Sequence, residues 1–389
     1  MDLSGASQNG FSVRQIASTL TPKLQNLIIL PTEKCNFRCT YCYEDFGIGR
    51  MSKATQQAVE AFLERRIAGL AELSVSWFGG EPLVAKDIVL RLSRHAKRLC
   101  DEAGVRFRGS LTTNGFLLDR ALLDDLLDCN QDFFQITLDG WGETHDAVRR
   151  FADGRGTFER IWSNLLGMKE SGRSFEGLLR IHVRRDNVDE LPVLMQQIGR
   201  TFGSDRRFRL DFEHLRNLGG EGGKSVERPL RLDELREIES KLRAIYRASI
   251  ESESASEATD SSSSQSGGDA ADDDIGDALR TAKLVGESAG GQRLEEIARG
   301  EPYICYASKA NSLLIRADGR IGKCTVALYD DRNTIGQINA DGTLSIDNDR
   351  LRPWLRGLSD LDPAVLGCPL ASMPRESTRI QEREDEQAH

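Results

Sequence analysis

The chain has 389 residues, with 52 Lys and Arg against 61 Asp and Glu, and its formal net charge of −9 argues against a basic nucleic-acid coat. With 39% hydrophobic residues there is apolar material for two or three units of roughly 150 residues each. No window reaches the roughly 18 apolar residues of a membrane helix and the N-terminus lacks a signal-peptide core, so a cytoplasmic chain is expected, with neither nucleic acid nor membrane as partner.

Residues 1–24 read as a short N-terminal extension. From 25 to 250, short β-rich runs alternate with longer amphipathic stretches, the pattern of βα units around a parallel sheet. Strands are predicted over 25–32, 73–78, 106–112, 132–138, 178–184 and 208–212. Helices are predicted over 53–70, 88–103, 120–127, 158–170, 188–202 and 232–249. Ser52 stands where an N-cap is needed, and Asp233 and Glu234 put negative charge in the first turn of the last helix. Six units make an α/β fold, a partial (β/α)6 TIM-like barrel with an open side. Turn residues follow three strands: Gly79-Gly80-Glu81-Pro82, Thr113-Asn114-Gly115 and Asp139-Gly140. Loops at that rim point into one mouth, so these motifs are expected to share a site.

The segment 251–277 holds nine acids, eight serines and no Lys or Arg, so the remaining chain balances at 52 against 52. It has too little apolar surface to offset its ordering entropy and is expected to be a flexible linker. Beyond it lie an amphipathic stretch over 278–299 and then short β-like pieces over 303–346 with turns at Asp318-Gly319 and Asp341-Gly342. Residues 278–374 are expected to form a small, cysteine-containing α+β domain, stabilised by a metal or cluster because its own core is small. A polar tail over 375–389 is expected to fray.

Eight cysteines are present, and length and clustering favour thiolates in a reducing compartment over disulfides. Cys35-Asn-Phe-Arg-Cys39-Thr-Tyr-Cys42 follows the first predicted strand directly. Three thiolates packed this closely can each take one iron of a cubane and leave the fourth iron open. Structural zinc would want a fourth ligand close by, whereas His95 and Cys100 lie more than fifty residues downstream. Cys100 and Cys129 read as core residues, since buried free cysteine packs as a small hydrophobe. A hydrogen-atom donor role for one of them is the sharper alternative. His145 reads as a loop or helix-start residue.

The cysteine motif, its place after the first strand and the Gly79-Gly80-Glu81-Pro82 run resemble the radical S-adenosylmethionine superfamily over about 25–212. The resemblance implies a 4Fe-4S cluster on Cys35, Cys39 and Cys42, whose open iron chelates S-adenosylmethionine. Cleavage of the sulfonium then gives a 5′-deoxyadenosyl radical that takes a hydrogen atom from substrate. It implies further that Gly79 and Gly80 let the backbone approach the methionine moiety, with Glu81 and Pro82 holding that loop. Tyr41 resembles the aromatic that lies near adenine. Asn114 and Asp139 stand where loop groups reach ribose or substrate, with turn stabilisation as the alternative.

Cys305, Gly319 and Cys324 are similar to the opening of SPASM or twitch extensions, which carry auxiliary 4Fe-4S clusters. The pattern thins around Cys368, where Val365, Pro374 and Thr378 occupy the other cysteine positions. One auxiliary cluster on Cys305, Cys324 and Cys368 is therefore expected, its fourth ligand not a cysteine of this chain; a zinc knuckle on the same residues is the alternative. The resemblance implies a peptide maturase acting on a ribosomally made precursor peptide, with a reducing electron donor such as a flavodoxin or ferredoxin. Side-chain cross-linking is the favoured outcome, with peptide epimerisation, formylglycine-type sulfatase maturation and a non-catalytic cluster or zinc module as alternatives.

Overall fold

A computed structural model of the protein describes residues 10–226, 228–260 and 302–374. Six parallel strands appear in chain order: β1 (Leu24–Ile29), β2 (Glu72–Trp77), β3 (Arg106–Thr113), β4 (Gln131–Leu138), β5 (Glu176–Val183) and β6 (Phe208–His214). The helices around them are α1 (Val13–Leu20), α2 (Lys53–Arg66), α3 (Lys86–Ala103), α4 (Arg120–Leu127), α5 (Glu143–Asp146), α6 (Phe158–Lys169), α7 (Leu191–Phe202), α8 (Gly220–Gly223) and α9 (Leu232–Asp260). Their ends follow local chemistry. Ser52 accepts from Thr55 N to start α2, Asp119 caps α4 through Leu122 N, and Gly104 in the left-handed region (φ 66°) stops α3. Helices α2, α3, α4, α6, α7 and α9 bury apolar residues in the core shared with the strands, as Val59, Phe62 and Leu63 of α2 do with Leu27 and Ile29 of β1.

The C-terminal strands are β7 (Ser312–Ile315), β8 (Arg320–Gly322), β9 (Gly336–Ile338) and β10 (Leu344–Ile346), followed by α10 (Asn348–Leu355), α11 (Gly357–Asp360) and α12 (Pro363–Gly367). β7 pairs in parallel with β1, so that Ile28 has Ser76 on one side and Leu314 on the other. β8, β9 and β10 then add antiparallel, giving the linear order β10-β9-β8-β7-β1-β2-β3-β4-β5-β6. The sheet does not close on itself, which makes the barrel partial.

Leu314, Ile315, Ile321 and Ile338 belong to the same buried cluster as β1 and β2, while Ile304 and Leu366 pack with Phe11 in a smaller one. Strands of three and four residues gain burial by extending the existing sheet. One difference from expectation is at α9, which runs through Asp260 into the segment expected to be a linker. The remainder of that segment, the amphipathic stretch over 278–299 and the polar tail lie outside the described residues. No helix among the described residues is long and apolar enough to cross a membrane.

Candidate functional site

The loop after β1 carries Cys35, Cys39 and Cys42 across the barrel mouth. Main-chain bonds pin it to the segment after α5: Arg38 N donates to Arg150 O (2.7 Å) and Thr40 N to Val148 O (3.0 Å). Phe37, Phe116 and Phe151 interlock edge to face at 4.9–5.8 Å beneath it. Phe37 N donates to Cys35 Sγ at 3.3 Å, and Cys42 N to Cys39 O at 3.2 Å. Burial pushes all three thiols up, Cys42 to about 12. Without a cation nearby these groups stay protonated; iron would displace the protons outright.

The Gly-Gly-Glu-Pro loop after β2 sits directly under that turn. A Cβ on Gly79 (φ 103°) would fall 2.4 Å from Thr32 O, and one on Gly80 2.6 Å from Lys34 O. The two glycines are thus required by the backbone leading to Cys35, a constraint distinct from approach to a cofactor. Glu81 is fully buried and accepts from Leu83 N (2.9 Å), Thr113 Oγ1 (2.8 Å) and Asn114 N (2.7 Å). Its carboxylate fastens the β2 and β3 loops together, and Pro82 opens the short helical turn that follows. Asn114 does two jobs. Its Oδ1 accepts from Phe116 N (3.0 Å), which stabilises the turn, and its Nδ2 donates to Asn36 Oδ1 (2.9 Å) in the cysteine loop.

Asp139 does not line the cavity. It is fully buried behind it, accepting from Tyr41 Oη (2.6 Å) and Arg184 Nη1 (2.9 Å). Burial raises its pKa, but His182, Arg149 and His145 outweigh burial and hold the carboxyl well below the usual carboxylate range. Tyr41 in turn accepts from Arg149 Nη1 (2.8 Å) and lies 3.1 Å from His182 Nδ1. This network ties the cysteine loop to β4, β5 and the segment after α5. An expected ribose or substrate contact by Asp139 is replaced by a positioning role, because every side of the carboxylate is taken.

His145 lies behind Asp139, fully buried, with its Nδ1 accepting from Asp139 N. Burial and the charge of Arg149 lower it from 6.5 to about 3. The folded chain therefore keeps it neutral while the unfolded chain protonates near 6.5. That contribution to stability is complete above pH 6.5 and is lost progressively as pH falls toward 3. We expect the thermal midpoint to drop between pH 7 and pH 5, and the drop to shrink in His145→Gln. An equal drop in both proteins would assign the acid sensitivity elsewhere.

The C-terminal thiols border the same space. Cys305 is held by its N–H on Leu366 O (2.9 Å), and Cys324 follows β8 with its N–H on Asn333 Oδ1 (2.9 Å). Cys368 is exposed between α12 and a short helical turn. Burial first, then the charge of Cys305, pushes Cys324 up to about 12, with Cys368 adding to the rise. A single cavity of about 1960 Å³ is lined by Cys35, Cys39, Cys42, Cys305, Cys324 and Cys368, and by Tyr41, Gly79, Gly80, Glu81 and Asn114. Among the described residues no three His, Cys, Asp or Glu side chains converge on one metal-ion position. Cys100 and Cys129 are absent from the cavity wall and buried in the protein, as their core reading requires.

Glu44 also lines the cavity with a buried Oε2 that has no hydrogen-bond partner. Burial, reinforced by Glu33 and Glu81, pushes it up to about 8. An unsatisfied polar atom facing a space ringed by thiols fits a polar, cationic ligand there. Sequence reasoning missed Glu44, Arg149, His182 and Arg184. The last two had a signal: Arg180, His182 and Arg184 alternate with Ile181 and Val183, a polar inner face on a strand otherwise apolar.

An open βα barrel whose first loop bears three cysteines is the architecture of a radical S-adenosylmethionine domain. Residues 29–198 match the Radical SAM superfamily. Members of that superfamily use S-adenosylmethionine and a 4Fe-4S cluster. Fe-coproporphyrin III synthase of Methanosarcina barkeri is 27% identical over 207 residues, 53% of this chain and 47% of that protein. The chain spans about half the length of the curated relatives it matches first. Among solved structures, anSMEcpe with bound AdoMet and Cp18Cys peptide is similar with a TM-score of 0.56 at 19% identity, over 86% of this chain and 84% of that one. SuiB of Streptococcus suis bound to precursor peptide SuiA is similar with a TM-score of 0.51 at 15% identity, over 88% and 68% of the two chains. At these identities the likeness is one of fold.

Proposed function

We propose that the chain is a radical S-adenosylmethionine enzyme that modifies a peptide, with the 4Fe-4S cluster on Cys35, Cys39 and Cys42 and one auxiliary cluster on Cys305, Cys324 and Cys368. One observation carries this: six thiols from the two ends of the chain open into one cavity of about 1960 Å³, against about 300–1,000 Å³ for an ordinary small-molecule pocket. Room remains for a peptide segment beside a nucleotide cofactor. When bound, the cofactors supply a carbon-centred radical able to take hydrogen from an unactivated C–H bond. The chain's own work is positional. Glu81 braces the two loops that border the cofactor, Arg149 sets a buried positive charge beside Cys39, and Asp139 holds Tyr41 and Arg184 in place. The fold neighbours crystallised with peptides, anSMEcpe and SuiB, support a peptide substrate.

Within that class we favour side-chain cross-linking. Among the described residues, no cysteine besides the six lines the cavity, which leaves no spare thiol to return a hydrogen atom as an epimerase requires. Formylglycine-type maturation is the second reading, supported by 36% identity over 96 residues to a serine-type anaerobic sulfatase-maturating enzyme. Anaerobic co-expression with the short reading frames that flank the gene tests both. A product lighter by two hydrogens that resists fragmentation between two residues is the expected result. The same mass loss confined to one serine, or replacement of one cysteine's sulfur by an aldehyde oxygen with net loss of two hydrogens, would support formylglycine, and unchanged mass with inverted chirality would overturn the cross-link. Absence of 5′-deoxyadenosine from reconstituted, reduced protein would overturn the enzyme reading itself.

A further inference from the structure

Among the described residues β6 is the last strand of the sheet, with β5 as its one paired neighbour. Gly177 N donates to Arg207 O, and Gly177 stands opposite Phe208, so the odd-numbered residues of β6 turn their main chain toward β5. Leu210 and Phe212 therefore turn their N–H and C=O groups away from the sheet. Neither residue gives those groups to another main-chain group outside the sheet among the described residues. Consecutive residues from Leu210 to His214 all border the cavity. A strand that showed the cavity only one face would contribute alternate residues. An unbroken run means that the strand's edge itself faces the opening.

The walls beside that edge carry the marks of a partner surface. Five large hydrophobic residues are exposed among those described, and three of them, Leu232, Val326 and Tyr329, line this cavity. Leu232 lies on α9, while Val326 and Tyr329 lie beyond Cys324, so apolar contacts flank the opening on both sides. Charges on the β6 and α9 wall pair off as Arg180–Asp211 (2.7 Å), Arg216–Glu213 (3.5 Å) and Arg243–Glu239 (2.8 Å). Arg236 lines the same wall and has no ion-pair partner among the described residues. The surplus charge of this wall is positive.

We propose that the edge of β6 is a docking strand: an extended peptide segment bearing an acidic residue adds beside it through main-chain hydrogen bonds to Leu210 and Phe212, and is led into the cavity past Leu232 and Tyr329. The proposal rests on the peptide-modifying reading and names how that peptide is held. Strand addition takes its affinity from the backbone and its selectivity from alternate side chains. It suits an enzyme whose substrate sequence varies near the reacting residue.

The probes are fluorescein-labelled synthetic peptides that tile the short reading frames flanking the gene, tested by anisotropy on the full reconstituted chain. For a peptide that binds, N-methylation at successive residues is expected to weaken binding with a period of two, by about tenfold at each sensitive position. Leu210→Pro is expected to weaken binding by about tenfold while Leu210→Ala does not, because proline removes one outward N–H that no strand uses. Arg236→Glu is expected to weaken it in low salt and less so in high salt. Binding that ignores N-methylation and treats Leu210→Pro and Leu210→Ala alike overturns the docking strand and leaves the peptide-modifying reading standing. Binding insensitive to Arg236→Glu overturns the acidic residue in the bound segment. Failure of every peptide to bind overturns both proposals. The N-methylation series decides the matter even where the proline variant does not fold.

Discussion

Cys39→Ala is expected to bring reductive cleavage of S-adenosylmethionine to the background of a cluster-free control, whereas Cys324→Ala keeps cleavage within a few-fold of the parent and loses modified peptide. The difference follows from position. Cys39 stands in the loop that closes the barrel mouth, between Arg38 and Thr40, whose amides are bonded to Arg150 and Val148. Removing its thiol takes away one of three anchors in a loop that offers no substitute, since Thr40 and Tyr41 are not iron ligands of this kind and Tyr41 is bonded to Asp139. The Arg149 guanidinium keeps Tyr41 and Asp139 as partners, so the loss is confined to the thiol. Cys324 borders the cavity from the turn after β8, where Asn333 holds its backbone, and Glu81 holds Thr113 and Asn114 without it. Quantifying 5′-deoxyadenosine and modified peptide side by side under dithionite separates the two triplets. Equal loss of cleavage in both variants would remove the division of labour between them.

The parts of this site that were legible in the sequence are those whose chemistry is local. The cysteine spacing, the Gly79-Gly80-Glu81-Pro82 turn and Asn114 in its turn each announce themselves within a few residues, and all line or border the cavity. The six barrel strands were legible for the same reason, since β3 alternates buried Phe107, Gly109 and Leu111 with more exposed residues, β4 is an apolar-rich run, and each is closed by a turn. What could not be seen is whatever depends on residues distant in sequence coming together. Arg149 has no motif; it matters because Thr40 pairs with Val148 and delivers the guanidinium to Tyr41, 108 positions away. Asp139 looked like a rim ligand because it follows a strand, but His182 and Arg184 from the next strand close over it. The merging of the C-terminal strands into the barrel sheet was hidden because β7 has only four residues, too short to reveal a partner as remote as β1. Register between distant segments is a property of the packed core, and the apolar pattern of a four-residue strand underdetermines it.

The ion pair Glu33–Arg316 is expected to yield the largest loss of stability from a single substitution outside the cysteines. Its side chains are 0% and 4% exposed, with Arg316 Nε on Glu33 Oε1 at 2.8 Å and Nη2 on Oε2 at 2.7 Å. Arg316 also donates to Leu328 O and lies 5.5 Å from the Tyr329 ring centre. The pair links the backbone two residues before Cys35 to the end of β7, and Tyr329 accepts from Asp45 N on the far side of the cysteine loop. Arg316→Met leaves a carboxylate buried without its partner, and breaking a pair in this way costs about 3–5 kcal/mol. Replacing both residues, as Glu33→Gln with Arg316→Met, is expected to recover most of that loss, because the neutral side chains carry no stranded charge. Urea unfolding of the parent, both single variants and the double variant measures the cycle, with an unchanged slope showing that only stability has moved. Should Arg316→Met cost less than about 1 kcal/mol, the pair would rank with exposed ion pairs and could not be what joins the cysteine loop to the C-terminal strands. Iron content per chain after reconstitution is expected to fall in Arg316→Met and to return in the double, since the carboxylate left unpaired lies two residues from Cys35 and would draw water or a cation into the wall that positions the thiol.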